Sequence, residues 1–219
     1  MRANETNRSG LKLKKAPVGR KARRQRPGPT KGERTQARLI DAAIAEFAAR
    51  GLERTKISDI VARAKLSQPA FYLYFDTKDR LYEHLVSRVR KELLAIIRRV
   101  RVPSNLDRAT ARRGMTAAIR EFLQYFADNP ALGSIGYFQT PRTKEIHKEI
   151  AAFVAANIVA EQAAGYLRHD LDPDFASECY VGTLDRIISQ YVLAGKSSPE
   201  KLADDVADVY LRGIEATKT

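Results

Sequence analysis

Few side chains in this sequence are spaced for covalent chemistry. Gly195-Lys196-Ser197 ends like a phosphate-binding loop, but Gln190 stands where that loop needs its first glycine, and no strand pattern precedes it. Glu145, His147 and Glu149 are two residues apart in a helical pattern, which turns His147 away from both carboxylates. There is no HExxH, no GxSxG and no cysteine pair. The three histidines, His84, His147 and His169, read as surface or packing residues. The expectation is a protein that is not an enzyme and carries no metal or other cofactor. What the spacing does suit is recognition. In SQPAFYLYF, Phe71 and Phe75 fall four apart and point to one side, while Gln68 and Tyr72 share another face with Pro69, Ala70, Leu73 and Tyr74 beside them. A short helix with bulky inward anchors and a small, hydrogen-bonding outer face is the form of a helix that enters the major groove of double-stranded DNA. Ser58, Gln68, Pro69, Ala70 and Leu73 are the candidate base readers. The amide of Gln68 can pair bidentately with adenine, and Ala70 or Leu73 can touch a thymine methyl.

These residues need a frame. Ile57, Ile60, Val61 and Ala64 recur at helical spacing ahead of the reader, with Thr55 as candidate N-cap and Asp59 in the first turn. Leu66 sits in the connection, Ser67 is a second N-cap candidate, and Pro69 falls in a first turn where its missing N–H costs little. Before them, a helix from Thr30–Glu33 to Arg50 is striped by Leu39, Ile40, Ala43, Ile44 and Phe47, with Gly51 as a left-handed C′ residue. After them, a long helix begins at Lys78, capped by Asp76 or Thr77, and ends near Val100 before Pro103. It carries Leu81, Leu85, Val89, Leu93 and Ile96/Ile97 on one side, and it links the reader mechanically to the C-terminal half. Helices then follow to Asp128, from Asn129–Pro130 to Pro141, from about Arg142 to Leu167, from Asp172–Pro173 to about Ala194, and from Ser198–Pro199 onward. The fold class is all-α, with about nine helices and no convincing strand.

The stretch from Leu39 to Leu85 resembles the DNA-binding domain of the tetracycline-repressor (TetR) family of bacterial transcriptional regulators. The resemblance rests on LIDAAIAEFAARGLERT, then ISDIVARA, then FYLYF-DTKDRL, in which an aromatic-x-aromatic-Phe signal precedes Lys-Asp-x-Leu. It implies that Thr55, Lys56, Tyr72, Tyr74 and Lys78 contact phosphates, which position the reader without specifying sequence. Lys65 occupies the turn position where the family usually has Gly, so it either carries roughly 1 kcal/mol of strain or makes a slightly different turn. Val61 replaces the usual Ala. The resemblance also implies pairing of the last two helices with their copies in a four-helix bundle.

The charge is unevenly spread. Of the formal net charge of +13, residues 1–32 hold eleven Lys/Arg against Glu5 alone. Residues 1–29 have no aromatic residue and are broken by Gly10, Pro17, Gly19, Pro27, Gly28 and Pro29, so a disordered basic arm is expected. Its cluster Arg20, Lys21, Arg23, Arg24 and Arg26 suits phosphates or the minor groove beside the main site. The bland alternative is a solvated leader with nonspecific affinity. The arm lacks Trp, Phe and an amphipathic period, no stretch reaches the ~20 apolar residues of a membrane span, and no apolar signal region follows the basic residues. One cysteine fits a reducing cytoplasm, and Cys179, among Phe175, Tyr180 and Val181, reads as a buried, inert thiol. The expected division is a basic arm at 1–29, a helix-turn-helix DNA-binding domain at 30–77, and an effector-binding and dimerisation domain at 78–219.

In the C-terminal half, Phe122, Tyr125, Phe126, Tyr137, Phe138 and Phe153 supply an aromatic wall, with Asn157 and Thr183 as polar members on apolar faces. Each could find a structural partner instead, but as a set they suit a largely apolar small-molecule effector with one or two polar handles. The last two helices carry more apolar positions than one internal face needs, and Gly182 permits close approach, which suits a homodimer. The expected function is a ligand-responsive regulator, a repressor, that binds a palindromic operator as a dimer. The alternative is a nonspecific DNA-compacting protein driven by the basic arm.

Overall fold

The computed structural model describes residues 28, 30–99 and 108–214. The arm residues Arg20, Lys21, Arg23, Arg24 and Arg26 lie outside the described residues. Nine α-helices occur among those described, with no β-strand: α1 Lys31–Arg54, α2 Ile57–Arg63, α3 Gln68–Tyr72, α4 Lys78–Arg99, α5 Arg108–Asp128, α6 Pro130–Gly133, α7 Thr143–Ala163, α8 Pro173–Ile187 and α9 Pro199–Ile214. Two of them run on into five-residue π-helical stretches, α6 into Ser134–Phe138 and α8 into Ile188–Val192.

Local chemistry sets most of these boundaries. Thr30 and Glu33 close a capping box at the start of α1, each side chain accepting from the other's backbone N–H at 3.2 and 2.6 Å. Near its other end, Gly51 has φ 74° and ψ 169°, so the helix kinks there and resumes for one short turn. That ψ is extended rather than left-handed helical, and only glycine adopts the combination readily. Thr55 does not cap α2. Lys56 takes the N-cap position, and its N–H donates to the Asp59 carboxylate at 3.2 Å. Ser67 stands at the N-cap of α3 but its side chain makes no capping bond. Thr77 accepts from the Arg80 N–H at 3.1 Å at the head of α4, and Asp172 accepts from the Phe175 N–H at 2.8 Å at the head of α8. α7 stops at Ala163, short of Leu167, because Gly165 at φ 74° reverses the chain and turns Leu167 inward.

One apolar cluster runs from Leu39 in α1 to Leu211 in α9. Its axis is α4, which buries Leu81, Tyr82, Leu85, Val86, Val89, Leu93, Leu94 and Ile96. Phe47 of α1 meets Tyr82 edge-on, with centroids 5.2 Å apart, and Tyr82 donates to the carbonyls of Ile135 and Gln139 at 3.4 and 3.1 Å. The π-helical turn after α6 lies so close to α4 that a Cβ on Gly136 would collide with Val89 Cγ2 and come within 2.7 Å of Val89 Cβ. No described helix is long and apolar enough to cross a membrane.

Gly136→Ala is expected to lower unfolding free energy by about 1–3 kcal/mol, because the Val89 side chain must be displaced from a packed core. Chemical denaturation of the two proteins measures it.

Candidate nucleic-acid interface and effector cavity

α2 and α3 are held at their angle by α1. The buried Glu46 receives Arg63 Nε at 2.6 Å and Arg50 Nε at 3.4 Å, and Arg50 reaches on to Asp59 at 3.2 Å. Arg38 donates to the carbonyls of Ala64 and Lys65 in the turn between α2 and α3. Lys65 has φ 53°, so it adopts the left-handed conformation that glycine would take at lower cost. Phe71 and Phe75 are buried. With those anchors inward, Gln68, Pro69 and Leu73 are exposed, as is Ser58 on α2, while Ala70 is half-buried. Leu73 is 80% exposed and Tyr72 54%. An aliphatic side chain so open to water, between Tyr72 and Tyr74, has no packing role in the chain that carries it.

Of the five residues associated with phosphates by resemblance, Lys56 and Tyr72 are exposed and Tyr74 is half-buried. The other two are engaged internally. Thr55 is 1% exposed, and its hydroxyl donates to the carbonyls of Gly51 at 2.7 Å and Glu46 at 3.2 Å, which fastens the kink of α1. Lys78 directs its ammonium at the carbonyls of Leu52, Glu53 and Thr55 at 2.9, 3.2 and 3.1 Å. All three of its protons have acceptors there, and a cation at the end of α1 meets the negative pole of the helix. Both side chains hold the head together rather than offering themselves to a phosphate.

The second site is a cavity between α4, α5, α7, α8 and α9, with about 810 Å³ of empty space that includes some open solvent. Ile96 and Ile97 of α4 line one side, with Met115, Ala118 and Phe122 of α5. Opposite are Ile150, Val154, Asn157, Ile158 and Glu161 of α7, and Ala176, Tyr180, Leu184 and Tyr210 of α8 and α9. Tyr180 and Tyr210 meet edge-on at 5.3 Å, and the Tyr210 and Thr183 hydroxyls are 2.8 Å apart. Burial pushes both tyrosines up from their ordinary pKa, so both are neutral at physiological pH.

Of the expected aromatic wall, only Phe122 lines this space, together with Asn157. Phe126 and Tyr137 are fully buried in a ring cluster with Phe122 and Phe138, and the Tyr137 hydroxyl donates to Asp185 at 2.6 Å. Tyr125 donates to Glu92 at 2.9 Å, and Phe153 lies under the Arg98 guanidinium at 5.0 Å. Thr183 stands one bond behind the lining, on Tyr210. His147 packs on the Tyr137 ring at 4.7 Å with Nδ1 3.3 Å from Asp185, while Glu149 pairs with Arg90 at 2.6 Å. Sequence reasoning missed Met115, Tyr180, Tyr210 and above all Glu161. The signal for Glu161 was available: it follows Asn157 by four residues on the stripe of Ile150, Val154 and Ile158. Cys179 is exposed, not buried, because α8 turns it to the outer side with Phe175 and Gly182.

Comparison with known proteins fits the reader's geometry. The family model described as bacterial regulatory proteins, tetR family, matches residues 39–85. The HTH-type transcriptional regulator YdgC of Bacillus subtilis is 29% identical over 185 residues, covering 84% of this chain and 95% of its own. The similarity to tetR-family regulators thus centres on residues 39–85, and with YdgC it extends over most of the chain. Members of this family bind DNA and are not enzymes. The fold agrees along the chain. A tetR-family regulatory protein from Rhodococcus RHA1 superposes with a TM-score of 0.70 at 21% identity, over 87% of this chain and all of that one. The FadR regulator of Bacillus subtilis, solved in complex with stearoyl-CoA, superposes with a TM-score of 0.63 at 19% identity, over 82% and 99%.

Two outcomes follow from these contacts. Lys78→Met is expected to lower unfolding free energy by about 1–2 kcal/mol, since three helix-end carbonyls lose a charged donor. The salt dependence of DNA binding should stay unchanged, and a denaturation curve with a salt titration measures both. Glu161 is raised from its ordinary value of 4.5 to about 7 by burial. The folded chain therefore holds that proton more tightly than the unfolded one, and stability falls as pH rises from the unfolded value through about 7. Glu161→Gln should remove that part of the pH dependence of the melting temperature.

Proposed function

We propose that this regulator is a ligand-responsive repressor that binds a palindromic operator as a homodimer and is released by a small, largely apolar effector. The observation that carries this reading is the course of α4. Its first residue, Lys78, is bonded to the end of α1 in the head, and its last turns supply Ile96 and Ile97 to the cavity. A ligand that favours one arrangement of the cavity helices over another therefore shifts α4, and with it the separation of two reading helices in a dimer. The stearoyl-CoA complex of the Bacillus subtilis FadR supports a small-molecule effector for this fold.

In the same reading, residues 30–77 form the DNA-binding domain, 78–219 the effector and dimerisation domain, and 1–29 a basic arm. Ser58, Gln68, Pro69, Ala70 and Leu73 read base edges, and Lys56, Tyr72 and Tyr74 contact the backbone. The dimer forms through α8 and α9. Phe175 is 69% exposed and Val209 71%, and Tyr191, Cys179 and Gly182 are exposed with them. Large apolar side chains that a monomer leaves in water suit a self-complementary face. The cytoplasm, where the operator would be, is the proposed location.

The concentration of eleven Lys/Arg in residues 1–32 favours a second reading, nonspecific DNA compaction through the arm. Selection of binding sites from random duplexes by a chain lacking residues 1–29 separates the two. Enrichment of a two-fold-related sequence is expected, and loss of all preference would leave the compaction reading. Gln68→Ala is expected to lose about 1–3 kcal/mol of discrimination at one base pair per half-site. Competition against single-base variants of the selected site measures it.

A further inference from the structure

The cavity wall is hydrocarbon and aromatic apart from Asn157, Glu161 and the hydroxyls of Tyr180 and Tyr210. Glu161, on the last turn of α7, is 8% exposed, and neither a hydrogen bond nor an ion pair reaches its carboxylate among the described residues. It also borders a smaller cavity with Arg112, Met115, Tyr166, Leu167 and Leu211. Two neighbours that might answer its charge have other partners. Tyr210 bonds with Thr183, and the Arg112 guanidinium bonds to Asp208 at 2.9 Å. The other buried acid beside a helix interface, Glu46, has two arginines.

An ionised carboxylate taken out of water is costly unless an opposite charge comes with it. Among the described residues the chain supplies none at Glu161, and the adjoining space is lined mainly by apolar side chains. We propose that Glu161 is the counter-ion for a cationic effector, a lipophilic amine or quaternary ammonium. Its apolar body lies against Met115, Phe122 and Val154, and its positive end lies between the carboxylate and the rings of Tyr180 and Tyr210. The rings add cation–π attraction to the ion pair. A carboxylate or phosphate ligand would meet a like charge here, so the acyl-CoA class seen with the Bacillus subtilis FadR is disfavoured. The assignment rests on the reading of this cavity as the effector site.

Glu161 also gives the binding a pH signature. Burial pushes it up to about 7. The groups that face it do not titrate nearby: Tyr180 on α8 and Tyr210 on α9 are raised, and Arg112 on α5 holds Asp208 below its usual range together with Arg212. A cation that needs the ionised form gains about tenfold in affinity from about pH 6 to about pH 8.

Calorimetry on the full chain with decyltrimethylammonium, decanol and decanoate tests this, since the three probes share a tail and differ in charge. The cation is expected to saturate one site per chain, about tenfold or more tighter than decanol, and to strengthen with pH as stated. The net charge of +13 works against that order, so nonspecific adsorption would give the opposite one. Glu161→Gln should abolish both the preference and the pH slope while decanol binding persists. The pH slope of the unaltered chain is read without any variant. Decanol or decanoate binding as tightly as the cation, or a preference that survives Glu161→Gln, overturns the assignment. Ala118→Trp, which fills the cavity, should abolish binding of all three. Binding of all three that survives this change would overturn the effector-cavity reading as well as the role of Glu161.

Discussion

Burial of one face of α4 is the constraint on which the rest of the molecule depends. Its inward residues from Leu81 to Ile96 belong to a single apolar cluster with α1 at one end and with α5, α7 and the π-helical turn at the other. Burial of eight large side chains along one helix fixes its rotation and its height, because a turn in either direction would expose some of them to water. The helix cannot move at one end alone. The Lys78 contacts at the end of α1 and the Gly136–Val89 approach are two of the points at which neighbouring elements are locked to it. A packed core of this kind passes a displacement along as a rigid shift, which is the property a cavity-to-reader coupling requires.

Two buried carboxylates show how the same residue type serves opposite purposes. Glu46 is surrounded by Arg50 and Arg63, and its network sets the angle between α1 and α2. Breaking it would leave a charge without partners inside the head, so it acts as a structural fastener. Glu161 has the burial without partners among the described residues, in a wall of the cavity. In the proposed reading of the cavity, a cationic ligand would supply the partner that Glu161 lacks among the described residues.

Much of the fold was legible from the sequence because its signals are local. Thr30 with Glu33, Asp172 with Pro173, and Ser198 with Pro199 mark helix starts by capping chemistry that acts within three residues. The outward face of α3 was legible for the same reason: Phe71 and Phe75 at a spacing of four leave Gln68 and Leu73 outward. The errors fall where the deciding partner is distant in sequence. Nothing near Lys78 announces three carbonyls about twenty-five residues upstream, and Thr55 looks like an N-cap until the Gly51 kink turns it inward. The aromatic wall failed in the same way. Phe126 and Tyr137 are core because α6 folds back on α5 and α4, and periodicity alone cannot separate a core aromatic from a pocket aromatic. Cys179 was misplaced because its apolar neighbours, Phe175 among them, lie on the outward side of α8.

The central claim is that the outer face of α3 enters a duplex. A photocrosslinking amino acid at position 73, in place of the exposed Leu73, tests it most directly. Irradiation with a duplex carrying the selected site should join the chain to a base within that site, and an excess of unlabelled site should suppress the product. A protein that binds the same duplex with full affinity but forms no adduct from position 73, while a crosslinker placed among residues 20–26 does, would contradict the account.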